Sequence, residues 1–300
     1  MICRIRIAYH LISTIFGSLV FLSPIDGISQ LSSASVQTRS VASSDGVRIV
    51  YDVRGQGSVA LVFVHCWAGN RYFWRNQAAS FSEQYRVVTL DLAGHGESGK
   101  NRKNWTVLGL AKDVVAVAND LELQKIVLIG HSMGGPVCLQ AATELPGRVV
   151  GIILADTMHD VSQRRTVAAA QADADQLKRD FKGYFHDLSA LFSKTSDPAV
   201  RHWVETQAMA ADPNAIIALK LDTPNVVPSE LFERAGVRIR AINAIPPLSD
   251  RTDVEVNRRF ADYDVAFVSD AGHFLQLEQP QEFNDDLRNW ILELTQGSPR

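Results

Sequence analysis

Three features of this chain predict an α/β architecture, a mostly parallel sheet with helices on both faces. Short continuous apolar runs alternate with segments of helical period, first from about residue 47 to 155 and again after residue 237. Strands covered on both faces need continuous apolar runs rather than alternating ones. The motif Gly130-His131-Ser132-Met133-Gly134 stands between one such run and a helical segment. Between residues 157 and 236 the alternation stops. The pattern there is helical, with breaks at Pro198, Pro213, Pro224 and Pro228, which reads as an insertion between two strands of the sheet.

The first residues differ from the rest. Arg4 and Arg6 precede an apolar stretch from Leu11 to Leu22, broken by Pro24, Asp26 and Gly27, with small residues at Gly27 and Ser29. A positive start, a short apolar core and a small-residue cleavage region form the layout of a secretory signal peptide over residues 1–29. The apolar stretch is short for a spanning helix, which needs about 20 residues. The expectation is a secreted or periplasmic protein with no stable membrane span once the signal is removed. Residues 30–44, rich in serine, are expected to be a leader.

A strand is predicted over Val47–Val53, ending at the Gly55-Gln-Gly57 turn. Val59–Val64 is a buried strand, Phe73–Phe81 a short helix and Arg86–Asp91 a third strand. Val107, Leu110, Ala111, Val114, Val115, Ala118 and Leu121 recur at helical spacing. Lys125–Ile129 is a strand, Gly135–Glu144 a helix and Val149–Ala155 another buried strand ending at Asp156. After the insertion, strand character resumes at Val237–Asn243. Asp253 is placed to N-cap a helix over Val254–Phe260, and Asp264–Ser269 is the last strand. Phe283, Leu287, Trp290, Ile291 and Leu294 put one apolar stripe on a closing helix. The predicted organisation is a core of residues 45–156 and 237–296 with a helical cap at 157–236.

Composition excludes several classes of function. The chain has 300 residues, 46% hydrophobic and 21% charged, with a net charge of −3. No polyanion-binding surface is implied, so no nucleic-acid partner is expected, and the pairs Arg164-Arg165 and Arg258-Arg259 read as solvated helix faces. Of three cysteines, Cys3 falls in the signal. Cys66 and Cys138 make no disulfide framework, and Cys138 is expected to be a buried apolar residue. No Cys/His spacing suits zinc.

A sharp strand-to-helix turn at Gly130–Gly134 forces the serine into a strained backbone and lifts its hydroxyl off the sheet. The helix that follows aims free N–H groups at it. A serine hydroxyl is a weak nucleophile until a base takes its proton. His273, in the loop Asp270-Ala-Gly-His273-Phe274 after the last strand, stands at the same carboxyl edge of the sheet and is the expected base. The acid that orients it is open between Asp156, directly at a strand end, and Asp250, behind Pro246-Pro247. Strand-end rigidity favours Asp156. Two N–H groups, from Met133 and Trp67, are the expected oxyanion donors. Trp67, Phe73, Trp74, Met158 and Phe274 are candidates to line an acyl pocket, and His65 is expected to be a structural hydrogen-bonding residue.

Taken together, Val64-His65-Cys66-Trp67, Asp91-Leu-Ala-Gly-His-Gly-Glu-Ser98, Gly130-His-Ser-Met-Gly-Gly135 and Gly272-His273-Phe274 resemble the α/β-hydrolase superfamily from about residue 45 to 294. The resemblance implies an eight-stranded, mostly parallel sheet with a cap over the site. It implies a small-molecule acyl substrate (ester, lactone or related) and no metal or organic cofactor. Ser132, His273, Met133 and Trp67 fall on the superfamily's nucleophile, base and oxyanion positions. There are two departures. Cys66 stands where glycine is usual. The usual Gly-x-x-Asp after the seventh strand is replaced by Asn243-Ala-Ile-Pro-Pro. Some members place the acid after the sixth strand, where Asp156 stands. Serine at the elbow excludes the branches with an aspartate nucleophile.

Two other readings compete. A non-catalytic small-molecule binding protein on the same fold is one. The other is a phosphate-binding loop at Gly94-His-Gly-Glu-Ser-Gly99-Lys100, although Asn101 follows where Ser or Thr is needed for magnesium.

Overall fold

A computed structural model describes residues 35–186, 188–245 and 251–296. Eight strands form one sheet: β1 (Gln37–Ala42), β2 (Arg48–Arg54), β3 (Ala60–Val64), β4 (Arg86–Leu90), β5 (Ile126–His131), β6 (Val149–Ala155), β7 (Ile239–Ala244) and β8 (Tyr263–Val268). Their spatial order is β1-β2-β4-β3-β5-β6-β7-β8. The pairs β1–β2 and β2–β4 are antiparallel, and all others are parallel. The helices are α1 (Arg75–Phe81), α2 (Ala111–Asp120), α3 (Gly134–Glu144), α4 (Val167–Arg179), α5 (Phe181–Tyr184), α6 (Pro198–Met209), α7 (Pro213–Asp222), α8 (Pro228–Ala235), α9 (Val254–Arg258), α10 (Leu275–Glu278) and α11 (Pro280–Gln296).

The central strands are apolar on both sides because both sides are covered. Val62 and Val64 of β3 join a core that includes α2, α3 and α8. Leu61 and Phe63, alternating with them, join a second core with α1 and α11. Phe283, Leu287, Ile291 and Leu294 form the buried stripe of α11.

The structure corrects two boundaries read from sequence. Residues 37–42, read as leader, form β1. Five of its six residues are exposed, so it carries no apolar pattern; it pairs with β2 in an antiparallel ladder, and Val41 packs on the core. The cap is also shorter than 157–236. Leu231, Phe232 and Ala235 of α8 pack into the same core as α3, making α8 a sheet-covering helix. Helical period reveals an apolar face but not what it meets. The segment proposed as a signal, residues 1–29, lies outside the described residues, as does Asp250. No described helix is long and apolar enough to cross a membrane.

Candidate active site

Ser132 sits between β5 and α3 in the left-handed region at φ 52°. The glycines around it are required by close approach. A Cβ on Gly130 would lie 2.3 Å from the Gly134 carbonyl oxygen, and one on Gly134 would lie 2.4 Å from that of Val64. The turn is held by the Ser132 N–H donating to Ala155 O at 3.1 Å and by the Gly135 N–H donating to Ser132 O at 2.9 Å. Met133 is the N-cap of α3. Among the described residues neither its N–H nor that of Trp67, in the turn after β3, donates to a protein acceptor; for Met133 this is as expected where a helix starts.

Asp156 follows β6 directly, again left-handed at φ 44°. Its N–H donates to Ile242 O at 3.0 Å, and its Oδ1 accepts from the Ala244 N–H at 3.1 Å. Both ends of the residue are thus tied to β7. Its Oδ2 lies 2.7 Å from His273 Nδ1. Burial alone would raise this carboxyl. The His273 hydrogen bond, the imidazoles of His273 and His159, and the Ala244 N–H outweigh burial and hold it below its ordinary value. His159 Nε2 is 3.8 Å from the other oxygen.

The loop carrying His273 is held from three sides. Its N–H donates to Leu191 O at 2.7 Å. Glu278 accepts from Gly272 N–H at 3.0 Å and from Ser193 N–H at 2.9 Å, joining the base loop to the cap. His131 Nε2 is 2.7 Å from the His273 carbonyl oxygen, and Gln276 Nε2 is 3.2 Å from His131 Nδ1. With the Gln276 amide donating to Nδ1, the proton of His131 is on Nε2 and points at His273 O. The two imidazoles pack at 4.7 Å between centroids. Burial pushes His131 down to about 3, so it is a neutral donor. Sequence reading did not single out His131 or Gln276. Their partners are remote in the chain, and only the fold brings them together.

Ser132, Asp156 and His273 line one cavity of about 1260 Å³, together with Cys66, Trp67, Phe73, Met158 and Phe274. Trp74, expected there, is a correction: it is fully buried against Phe63 and Phe283, in the layer with α1 and α11. Residues 71–74 form a 3-10 turn, in which neighbouring side chains diverge by about 120°. Phe73 therefore faces the cavity side, with Phe192 and Phe274. Arg165 is solvent-exposed, as expected, but it precedes α4 rather than lying on a helix face, and it reaches Asp173 and lines the cavity. His65 is structural, its Nδ1 bonded to Cys66 O and its Nε2 accepting from the Leu92 N–H. Cys138 is buried, and Asp253 caps α9 by accepting from Val256 N–H.

The loop at Gly94–Lys100 is no phosphate cradle. The N–H groups of Gly94, Glu97 and Gly99 go to Gly99 O, Asp91 Oδ2 and Arg48 O. Arg71 closes on the same Asp91 carboxylate at 2.5 Å.

Residues 59–201 match the family model described as the alpha/beta hydrolase fold. Over 113 residues the chain is 33% identical to the dihydrolipoyllysine-residue acetyltransferase component of the acetoin cleaving system of Cupriavidus necator. That match covers 38% of this chain and 30% of the relative, so the chain spans less than a third of that protein's length. It is 24% identical over 250 residues to 3-oxoadipate enol-lactonase 1 of Acinetobacter baylyi, covering 81% of this chain and 92% of the relative. A thermophilic esterase from Thermogutta terrifontis has the same fold, with a TM-score of 0.75 and 22% identity over 86% of this chain and 99% of the other. With the elbow, the sheet order and the inserted helices, these matches show that the chain has the alpha/beta hydrolase fold.

Proposed function

We propose that this protein is a serine hydrolase that cleaves a carboxylic ester or related acyl substrate through an acyl-enzyme. The observation that carries the reading is the 2.7 Å contact between His273 Nδ1 and Asp156 Oδ2 in the cavity that the left-handed Ser132 also lines. Asp156 keeps the imidazole proton on Nδ1 and leaves Nε2 as the base. Nε2 takes the Ser132 proton as Oγ attacks the carbonyl carbon. The N–H groups of Met133 and Trp67 receive the developing oxyanion. His273 then gives its proton to the leaving alkoxide, and a water activated by the same nitrogen releases the acid. The enol-lactonase and esterase named among the relatives support the substrate class.

Ser132→Ala is expected to lower kcat on a short aryl ester by about 10⁴-fold or more, and a serine-directed phosphonate is expected to label wild type at Ser132 alone. Retained ligand binding with neither turnover nor labelling would instead favour a non-catalytic binding protein. The N-terminal layout supports export as part of the proposal. Cell fractionation and N-terminal sequencing of the mature protein test it, and a cytoplasmic, uncleaved chain would refute it.

A further inference from the structure

The cavity has a charged end that acyl transfer does not use. Lys220 of α7 turns its amine inward, with the side chain only 16% exposed. Its Nζ lies 3.9 Å from the centroid of the Trp67 ring and 3.5 Å from Asp173 Oδ2 on α4. The same Asp173 oxygen is already held by Arg165, in the segment before α4. Two cations thus share one carboxylate, so the trio carries one net positive charge at the cavity wall, with Arg165 solvent-exposed and the Lys220 amine the buried member. Arg251 adds a further cation to the lining, and Asp160 a further anion. A buried uncompensated charge is costly unless something pairs with it, and no second carboxylate is placed on Lys220 among the described residues. Burial also pushes Lys220 down to about 8, the mark of an amine that a ligand anion would re-stabilise.

Trp67 ties this end to the chemistry. Its backbone N–H is the proposed oxyanion donor, its ring lies under the Lys220 amine, and its Nε1–H donates to Ile216 O of α7 at 3.0 Å. One residue therefore spans from the carbonyl position to the ammonium. Gln163, Gln176 and Tyr184 line the same cavity and supply neutral polar groups.

Resting on the hydrolase reading, we infer that Lys220 and Arg165 form an anion subsite that receives a carboxylate carried on the acyl part of the substrate, so that the preferred substrates are half-esters or lactones of dicarboxylic acids.

The test compares two esters of one phenol, an aryl hydrogen glutarate and its neutral methyl-capped counterpart, on wild type and Lys220→Met. Methionine keeps an unbranched apolar stem over Trp67 and removes the charge. Wild type is expected to favour the anionic ester in kcat/KM by about tenfold or more. Lys220→Met is expected to lose most of that preference, keeping the part that Arg165 supplies, while cleaving the neutral ester as wild type does. The groups facing Lys220 are Asp173 on α4, Arg165 before it and Tyr184 on α5. Arg165 stays charged throughout, so the preference should weaken, without vanishing, as pH rises through about 8. Glutarate itself, titrated calorimetrically into Ser132→Ala, should bind, and should bind at least tenfold more weakly to Ser132→Ala/Lys220→Met. Equal kcat/KM for the two esters on wild type, or a preference undiminished in Lys220→Met, overturns the subsite and leaves the hydrolase reading intact. Turnover of neither ester refutes the hydrolase reading, and the glutarate titration then decides the subsite alone.

Discussion

Two backbones that present side chains at the sheet edge, Ser132 and Asp156, are left-handed, as are Ala68 and Met158 in the cavity lining. Non-glycine residues pay roughly 1–3 kcal/mol for such conformations, and here the hydrogen bonds to Ala155 O and Ile242 O hold Ser132 and Asp156. Gly134→Ala, which brings a Cβ within 2.4 Å of a carbonyl oxygen, is expected to shift the elbow and lower kcat more than it changes KM on the aryl ester. His131 is a positioning residue. His131→Phe keeps a ring beside His273 but leaves the His273 carbonyl unpaired, costing about 1–3 kcal/mol in denaturant unfolding. It is expected to lower kcat by up to about 100-fold with KM little changed, and His131→Gln, which restores an N–H, should recover part of it. Ser132, His273 and Asp156 were legible because each stands at a strand end or just past a glycine turn. Strand-end rigidity favoured Asp156 over Asp250 from the sequence, and the tie of Asp156 to β7, which sequence cannot express, supports the proposed role. Trp74 was misread because an aromatic beside a loop carries no sign of which face of a 3-10 turn it will take.

Strands and helices were legible in proportion to how much apolar surface they bury. β3, β5 and β6 are buried along almost all their length, and their limits were nearly right. β1 exposes most of its residues and gave no signal, as a polar edge strand does. In α11, Ile291 is fully buried, and Ile291→Ala is expected to cost about 2–5 kcal/mol of unfolding free energy, whereas Arg288→Ala on its outer face should change little. For α7 the expectation runs against intuition. Lys220 is depressed from its ordinary 10.5 to about 8, so between these values the unfolded chain binds the proton more readily than the folded one. Stability therefore rises with pH through that window, and the penalty is full below it. Lys220→Met should raise stability at pH 7 by on the order of 1–2 kcal/mol, with the two proteins converging towards pH 10.5. A lysine kept only to brace the cap would show the reverse in thermal denaturation.

Among the described residues, three imidazoles are sealed inside the protein. Burial pushes His65 down to about 4 and His95 and His131 to about 3. Each is neutral when folded, while an unfolded histidine protonates near 6.5. Stability from this source is complete above pH 6.5 and is lost as pH falls towards 4, by on the order of 2 kcal/mol for each histidine. Urea unfolding at pH 7 and pH 4.5 measures it, and a flat profile would contradict the neutral, buried assignment. One link from cap to core has a practical consequence. Leu191 O holds the His273 N–H, and Glu278 clasps Ser193 and Gly272 together. This cavity-lining segment is therefore also scaffolding for the loop that carries His273, the base of the proposed mechanism. Grafting a foreign lid here to change selectivity would disturb turnover as well, unless the stretch from Leu191 to Ser193 is carried over unchanged.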